Sequence, residues 1–91
     1  MANSNPEIAV EMSLYPLTTD FIPTIKDFID RLNTHADLRV VTNSLSTQVF
    51  GGFEEVMQAL REALGASFTS LAQRSERAVV VMKMIGPLSP A

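Results

Sequence analysis

Uncharged side chains that form hydrogen bonds are concentrated in one run of this chain, between two apolar stretches. The run extends from Thr42 to Gln48 and consists mainly of hydroxyl and amide side chains. Strand interiors in a small domain are usually apolar, and charge, Gly or Asn-Gly usually occupies the turns. Hydroxyls and amides both donate and accept hydrogen bonds, which suits the orientation of a neutral or cationic small molecule. A Ser- and Asn-rich turn with ordinary surface neighbours is the alternative interpretation.

A second polar group lies at the end of the apolar stretch that precedes Pro16. Ser13 and Tyr15 alternate there with apolar residues, so in a strand they share one face. This group and the polar run belong to neighbouring strands of the fold predicted below, so they can converge on one pocket with aromatic surface beside it. A polar sheet end that faces water is the alternative. The predicted ligand-binding residues are Ser13, Tyr15, Phe21, Asn43, Ser46 and Thr47.

The chain offers little for catalysis or for metal binding. Its one histidine, His35, is predicted to be a solvated loop residue, and there is no cysteine to join it in a metal site. A single loop histidine does not readily complete a nucleophile–base–acid triad. Gly51-Gly52 precedes a helix but lacks the Lys-Ser/Thr of a phosphate-binding loop. We therefore predict no enzyme activity, no catalytic residue, no metal and no cofactor.

The composition predicts one domain that associates with itself. The chain has 91 residues, of which 46% are hydrophobic, and this length is near the lower end of domain sizes. Without cysteine, neither a disulfide nor a Cys-based zinc site can add stability. Surplus apolar surface then favours burial against further copies, so we expect an obligate homo-oligomer.

Charge and hydropathy argue against two other kinds of partner. The net charge is −3 and the basic residues are scattered, whereas nucleic-acid binding requires a clustered basic patch. No apolar run approaches the ~20 residues that span a bilayer. Residues 1–6 also lack the basic and apolar regions of a secretory signal. We expect a cytoplasmic protein with a small-molecule ligand, no nucleic acid and no membrane insertion.

Hydrophobic periodicity predicts the element order β-α-β-β-α-β. The predicted strands cover residues 8–15, 38–42, 47–50 and 78–85, and the first helix runs roughly from 20 to 33. Pro23 suits the first turn of that helix, with an N-cap oxygen from Thr18, Thr19 or Asp20. The second helix follows Gly51-Gly52, and its predicted apolar stripe is Phe53, Val56, Met57, Leu60, Leu64, Phe68 and Leu71.

This order is the ferredoxin-like arrangement, an α+β fold. Right-handed crossovers put both helices on one face of a four-stranded antiparallel sheet, with the first and third strands central. The single domain spans residues 1–91, with a core at about 8–85 and loose tails at 1–6 and 86–91. The last strand is apolar on both faces, with Val79 and Val81 on one and Val80, Met82 and Met84 on the other. Because a half-solvated strand should alternate, we expect another subunit to cover the open face.

Three segments resemble the thiamine-binding (YkoF-like) protein family. They are Ser13 to Leu17 (SLYPL), Thr42 to Gly51 (TNSLSTQVFG) and Glu55 to Leu60 (EVMQAL), and their order and spacing match over about residues 8–85. The resemblance implies a ferredoxin-like domain that binds thiamine or its hydroxymethylpyrimidine part without chemistry. It also implies dimers paired sheet against sheet that assemble as homotetramers.

One departure from the family pattern concerns a glutamate. The family often has Gly-Glu after the third strand, where this chain has Gly51-Gly52-Phe53-Glu54. If that glutamate holds a cationic ligand, Glu54 or Glu55 has to substitute for it here.

The residues and the resemblance predict a non-catalytic binding protein for thiamine or its hydroxymethylpyrimidine moiety, acting as carrier, buffer or sensor. The alternative is a structural or regulatory oligomerisation module, which shares the fold and the apolar face but needs no pocket. An acylphosphatase-like enzyme is a third class on this fold. It needs an anion-binding loop with an arginine and an asparagine, and neither residues 16–20 nor Gly51-Gly52 provide the arginine.

Overall fold

Four strands and two helices follow one another in the predicted order in the computed structural model, which describes residues 5–88. The elements are β1 (Glu7–Pro16), α1 (Ile22–Leu32), β2 (Arg39–Thr42), β3 (Thr47–Gly52), α2 (Phe53–Gln73) and β4 (Ala78–Ile85). The strands form one antiparallel sheet in the order β2-β3-β1-β4, with β3 and β1 central. The predicted ferredoxin-like fold is therefore confirmed. Residues 1–4 and 89–91 of the predicted tails lie outside the described residues.

Strand pairing defines two faces of the sheet. Val10 lies opposite Val49 of β3 and Met84 of β4, so these three side chains share a face. On that face the β1 residues Ile8, Val10, Met12 and Leu14 are buried in the core. We call the other side the open face; it carries Ala9, Glu11, Ser13, Tyr15, Arg39, Val41, Gln48, Phe50, Val79, Val81, Lys83 and Ile85.

The buried stripe of α2 differs from the predicted one. Val56, Leu60 and Leu71 are buried as predicted, and the small residues Ala59, Ala63 and Ser67 are buried with them. Phe53, Met57 and Phe68 are exposed instead. The separation between packed elements depends on the side chains at their contact, so small residues allow a closer approach. The spacing of large apolar residues therefore predicts the residues that flank the buried stripe of such a helix, and it misses the small residues within the stripe.

The start of α1 also corrects a prediction. Phe21 occupies the N-cap position with no side-chain cap, although Pro23 does lie in the first turn. Thr18, one of the predicted caps, instead donates a hydrogen bond of 3.0 Å to Glu76. The Leu17 N–H donates to the carbonyl of Arg77 at 2.8 Å. The loop before α1 is thus bound to the connection between α2 and β4.

The segment before β1 caps α2. The side-chain oxygen of Asn5 accepts a hydrogen bond from the Glu54 N–H at 2.8 Å, and its amide donates to Glu55 at 2.8 Å. The Phe53 N–H donates to the carbonyl of Pro6 at 2.8 Å. Asn5 and Pro6 fall in a stretch that the sequence predicted to be a loose tail. Their hydrogen bonds satisfy backbone donors that any helix start leaves free.

His35 lies in the connection between α1 and β2, as predicted, but it packs against α2. Its side chain is 20% exposed, and its Nε2 is 3.3 Å from a carboxylate oxygen of Glu62. The sequence predicted a solvated residue because no local pattern shows that the second helix passes beside this connection.

Candidate functional site

A pocket of about 480 Å³ lies at the sheet end where β2 and β3 meet in their hairpin, next to α1. Its size is within the range of about 300–1,000 Å³ that is usual for small-molecule sites. The structure brings all six predicted site residues to its border: Ser13, Tyr15, Phe21, Asn43, Ser46 and Thr47. Neighbouring antiparallel strands carry the two polar groups to the same sheet end, because Met12 of β1 lies opposite Thr47 of β3.

Thr47 is the most buried polar residue of the pocket. It is the first residue of β3, it is 6% exposed, and it lies on the core face with Met12. Its Oγ1 is 3.2 Å from Oγ1 of Thr42, its partner across the β2–β3 hairpin, and either hydroxyl can donate. The buried hydroxyl is therefore satisfied by a second hydroxyl, as buried polar groups usually are.

Asn43 builds the hairpin turn. Its Oδ1 accepts hydrogen bonds from the Leu45 N–H at 2.8 Å and the Ser46 N–H at 3.0 Å, while its own N–H donates to the carbonyl of Ser46 at 3.0 Å. This is the way in which Asn side chains mimic a backbone turn. Because Oδ1 is occupied, the amide Nδ2 is the group that Asn43 can present to a ligand.

Ser13 and Ser46 attach the hairpin to β1. The hydroxyl of Ser13 donates to the carbonyl of Leu45 at 3.2 Å, and the hydroxyl of Ser46 donates to Glu11 at 3.0 Å. Glu11 is also 3.2 Å from the ammonium of Lys83. The hydrogen bond from Ser46, followed by the interaction with Lys83, lowers the pKa of Glu11 below its usual value. Both serines reach the pocket border, but their donors are already used within the protein.

Aromatic and apolar side chains form the rest of the pocket. Tyr15 and Phe21 are both exposed and both border it. The apolar wall consists of Met12, Leu14, Ile25, Phe28 and Ile29. The sequence pattern assigned these apolar residues to the core. It placed Thr42 in the polar run but not among the predicted ligand-binding residues, and the position of Thr42 opposite Thr47 is the signal that could have added it.

The described residues that border the pocket carry no charge. The resemblance to the family suggested Glu54 or Glu55 as the partner of a cation. Both residues follow Gly52, at the opposite end of β3 from Thr47, and neither borders the pocket. The hydrogen bond from Asn5 lowers the pKa of Glu55. A cationic group inside the pocket would lack a carboxylate partner, so the lining suits a neutral ring.

Residues 5–88 contain no group of three or more His, Asp or Glu side chains that could hold a metal ion. Within the same range, neither helix combines the length and the apolar character needed to cross a bilayer.

The fold and the pocket together define a small ferredoxin-like protein with an uncharged ligand-sized pocket at one end of its sheet. Residues 7–89 match the model of the YkoF-related family, and the chain belongs to that family. No curated protein matches the chain.

Solved structures of other proteins share this fold. A hypothetical protein from Methanocaldococcus jannascii superposes with a TM-score of 0.73 at 24% identity, covering 88% of this chain and 79% of that chain. A protein from Streptococcus pneumoniae has a TM-score of 0.76 at 22% identity, with coverages of 90% and 89%. A candidate thiamine biosynthesis/salvage protein from Thermotoga maritima has a TM-score of 0.75 at 19% identity, with coverages of 89% and 84%. At these identities the likeness shows the fold.

Proposed function

We propose that this protein binds thiamine or its hydroxymethylpyrimidine moiety without catalysis, as a carrier, buffer or sensor. The observation that carries the proposal is that the six residues predicted from the sequence border one uncharged pocket. Membership of the YkoF-related family supports it. So does the structural likeness to the candidate thiamine biosynthesis/salvage protein from Thermotoga maritima.

The chemistry of the pocket suits an aminopyrimidine. The hydroxyls of Thr42 and Thr47 and the amide of Asn43 supply donors and acceptors for ring nitrogens and an amine. Tyr15 and Phe21 offer flat surfaces for the ring, since offset stacking is favourable between aromatic groups. The cationic ring of thiamine then lies at the opening of the pocket, where water can solvate it, because the described pocket border has no charged residue to pair with it.

The same lining supports binding without turnover. A hydroxyl becomes an effective nucleophile when a neighbouring base takes its proton. The described border of the pocket has hydroxyls but no histidine, lysine or carboxylate. The carboxylate of Glu11, which accepts a hydrogen bond from the Ser46 hydroxyl, is a poor base because that bond and Lys83 lower its pKa. The lining therefore favours a binding role. The carrier, buffer and sensor roles all require that the ligand is released unchanged.

We also infer that the protein is a homotetramer built from sheet-packed dimers, in the cytoplasm. Val79, Val81 and Ile85 of β4 are exposed on the open face, which supports a partner there. Met82 and Met84 are exposed on the side of the helices, which supports a second contact. The location is inferred from the sequence alone.

The structural module without a ligand is the second candidate. Apolar exposure on both faces of β4 favours it, because that feature needs no pocket. A ligand titration therefore separates the two functions.

Nuclear magnetic resonance spectroscopy of isotope-labelled, ligand-free protein tests the proposal. Adding hydroxymethylpyrimidine is expected to shift the amide signals of residues 13–15 and 42–47, which border the pocket. Signals from Gln58, Arg61 and Glu62, on the exposed side of α2, serve as the internal control. No shift at millimolar ligand, or shifts confined to α2, would contradict the proposed site. Native mass spectrometry of gently purified protein then gives the stoichiometry and any co-purified small molecule.

A further inference from the structure

Two threonine hydroxyls form a pair at the hairpin end of the pocket. Thr42 is the last residue of β2 and Thr47 the first of β3, and they face each other across the hairpin. Their Oγ1 atoms are 3.2 Å apart, and both residues border the pocket. Thr42 is exposed whereas Thr47 is buried, so the pair extends from the interior towards the opening.

The threonine pair keeps a hydroxyl donor free, whereas Ser13 and Ser46 use theirs within the protein. The hydroxyls of Ser13 and Ser46 and the side-chain oxygen of Asn43 each have a partner within the protein. A hydroxyl carries one donor and two acceptor lone pairs. When one threonine donates to the other, the second hydroxyl keeps its own proton and the first keeps its lone pairs. The pair can therefore offer one donor beside one acceptor.

We propose that Thr42, acting with Thr47, is a specificity-determining residue of this pocket. The pair selects ligands whose edge has an acceptor beside a donor, such as the ring nitrogen and the exocyclic amine of a 4-aminopyrimidine. This inference rests on the proposed function and deepens it. Because either hydroxyl can donate, the pair also fits the reversed edge, a ring N–H beside a carbonyl oxygen. A ring that lacks the exocyclic group loses one of the two hydrogen bonds.

The test compares two probes by titration calorimetry. One is 4-amino-5-hydroxymethyl-2-methylpyrimidine, and the other is the same molecule without the 4-amino group. Wild-type protein is expected to prefer the amino compound by about ten-fold, which corresponds to about 1.4 kcal/mol. Thr42→Val is expected to bind the amino compound about ten-fold more weakly and the other compound almost unchanged, so that the preference disappears. The substitution keeps the shape and the β-branch that suit a strand.

Two further variants sharpen the comparison. Thr42→Ser keeps the hydroxyl and is expected to retain the preference. Thr69→Val is the matched control, because Thr69 is exposed on α2 and does not border the pocket. Thr42→Ala gives the same comparison with a smaller side chain, if valine crowds the pocket.

The outcomes separate this inference from the proposed function. The inference about Thr42 is overturned if wild-type protein binds both compounds equally or if Thr42→Val keeps the preference. It is also overturned if Thr42→Val lowers the affinity for both compounds to the same degree. The last result indicates a structural role for Thr42. If wild-type protein binds neither compound, the proposed function itself fails and the inference fails with it.

Discussion

Thr47 and Asn43 were both predicted as ligand contacts, and the structure distinguishes their roles. The Thr47 hydroxyl faces the pocket from a buried position beside Thr42. The side-chain oxygen of Asn43 instead closes the hairpin turn. Residue type indicated hydrogen bonding at both positions, but it did not show which group the protein uses for itself. Substitutions at the two positions should consequently have different effects.

Thr47→Val should weaken ligand binding without unfolding the protein. A hydrogen bond contributes about 0.5–1.5 kcal/mol net, and a buried partner left unsatisfied costs about 1–3 kcal/mol. We therefore expect an affinity loss of about ten-fold or more, measured by calorimetry. Thr19→Val, at an exposed position in the loop before α1, is the control. Unchanged affinity in Thr47→Val would show that the ligand does not contact this hydroxyl.

Asn43→Leu should weaken binding and also alter the hairpin. The substitution removes the acceptor for the Leu45 and Ser46 N–H groups, so the turn loses two hydrogen bonds. The amide signals of residues 43–46 should then move even without ligand, in contrast to the local change expected for Thr47→Val. An intact hairpin in Asn43→Leu would show that the strand register alone determines the turn.

The acid side of the stability curve should depend on Glu11. The Ser46 hydroxyl and then Lys83 lower its pKa below the ordinary value of a glutamate. A carboxyl group with a lowered pKa in the folded state stabilises the protein above the pKa of the unfolded chain. That contribution is lost as the pH falls below about 4.5 and through the folded pKa. Urea unfolding at neutral and acidic pH should therefore show a smaller acid-induced loss in Glu11→Gln than in wild-type protein, and equal losses would contradict this role.

At the scale of elements, the sequence predicts what depends on local periodicity. Alternation from Ile8 to Leu14 predicted β1 and its buried face correctly. The sequence predicted the end of β3 at Phe50, because Gly51-Gly52 was interpreted as the start of a helix. In the structure both glycines pair with β1, so β3 continues through Gly52. A Cβ on Gly51 would lie 2.5 Å from a terminal methyl carbon of Leu38, and this close approach between distant segments has no local signature. The small residues buried on α2 were missed for the same reason.

Two glycines of the β3–α2 region should respond in opposite directions to alanine. Gly65 lies inside α2, and a Cβ added there meets nothing within 4 Å. Gly65→Ala should therefore raise the free energy of unfolding by about 0.5–1 kcal/mol, because alanine loses less backbone entropy in a helix. Gly51→Ala should lower it, since the end of the Leu38 side chain has to move and Val56 lies 3.4 Å from the added Cβ. The loss should stay below the ~1–3 kcal/mol that rigid core overpacking typically costs, because the displaced Leu38 methyl is the flexible end of its side chain. Urea unfolding of both variants checks the pair, and stabilisation by Gly51→Ala would contradict the packing described for this strand.

At the scale of the whole molecule, the strand order followed from chirality and connection rules rather than from any single residue. Right-handed crossovers place β1 beside β3, and that placement brings Ser13 and Thr47 to one sheet end. The apolar wall of the pocket, such as Phe28, was not predictable as a site because apolar residues at helical spacing indicate a core equally well. The way in which subunits assemble was not predictable either, because an apolar strand indicates that a face is covered but not which face forms which interface.

Val81→Glu should dissociate the proposed sheet-packed dimer while the chain stays folded. Val81 is 56% exposed on the open face, so a carboxylate there is tolerated in a monomer but is costly in a dry interface. Sedimentation velocity at micromolar concentration should show a tetramer for wild-type protein and smaller species for the variant. Ile22→Glu on α1, also at an exposed position, is the control. A clean monomer for wild-type protein would contradict the inferred assembly.

Titration calorimetry of wild-type protein shown to be free of ligand tests the central claim most directly. The claim is that the uncharged pocket at the β2–β3 hairpin binds the aminopyrimidine of thiamine. Thiamine and hydroxymethylpyrimidine should both give saturable heats, with affinities that depend little on salt because the described border of the pocket carries no charge. Repetition at several temperatures excludes an enthalpy that happens to be zero at one of them. The absence of heat with both compounds at millimolar concentration, at every temperature, would contradict the claim and leave the structural oligomerisation module as the better account.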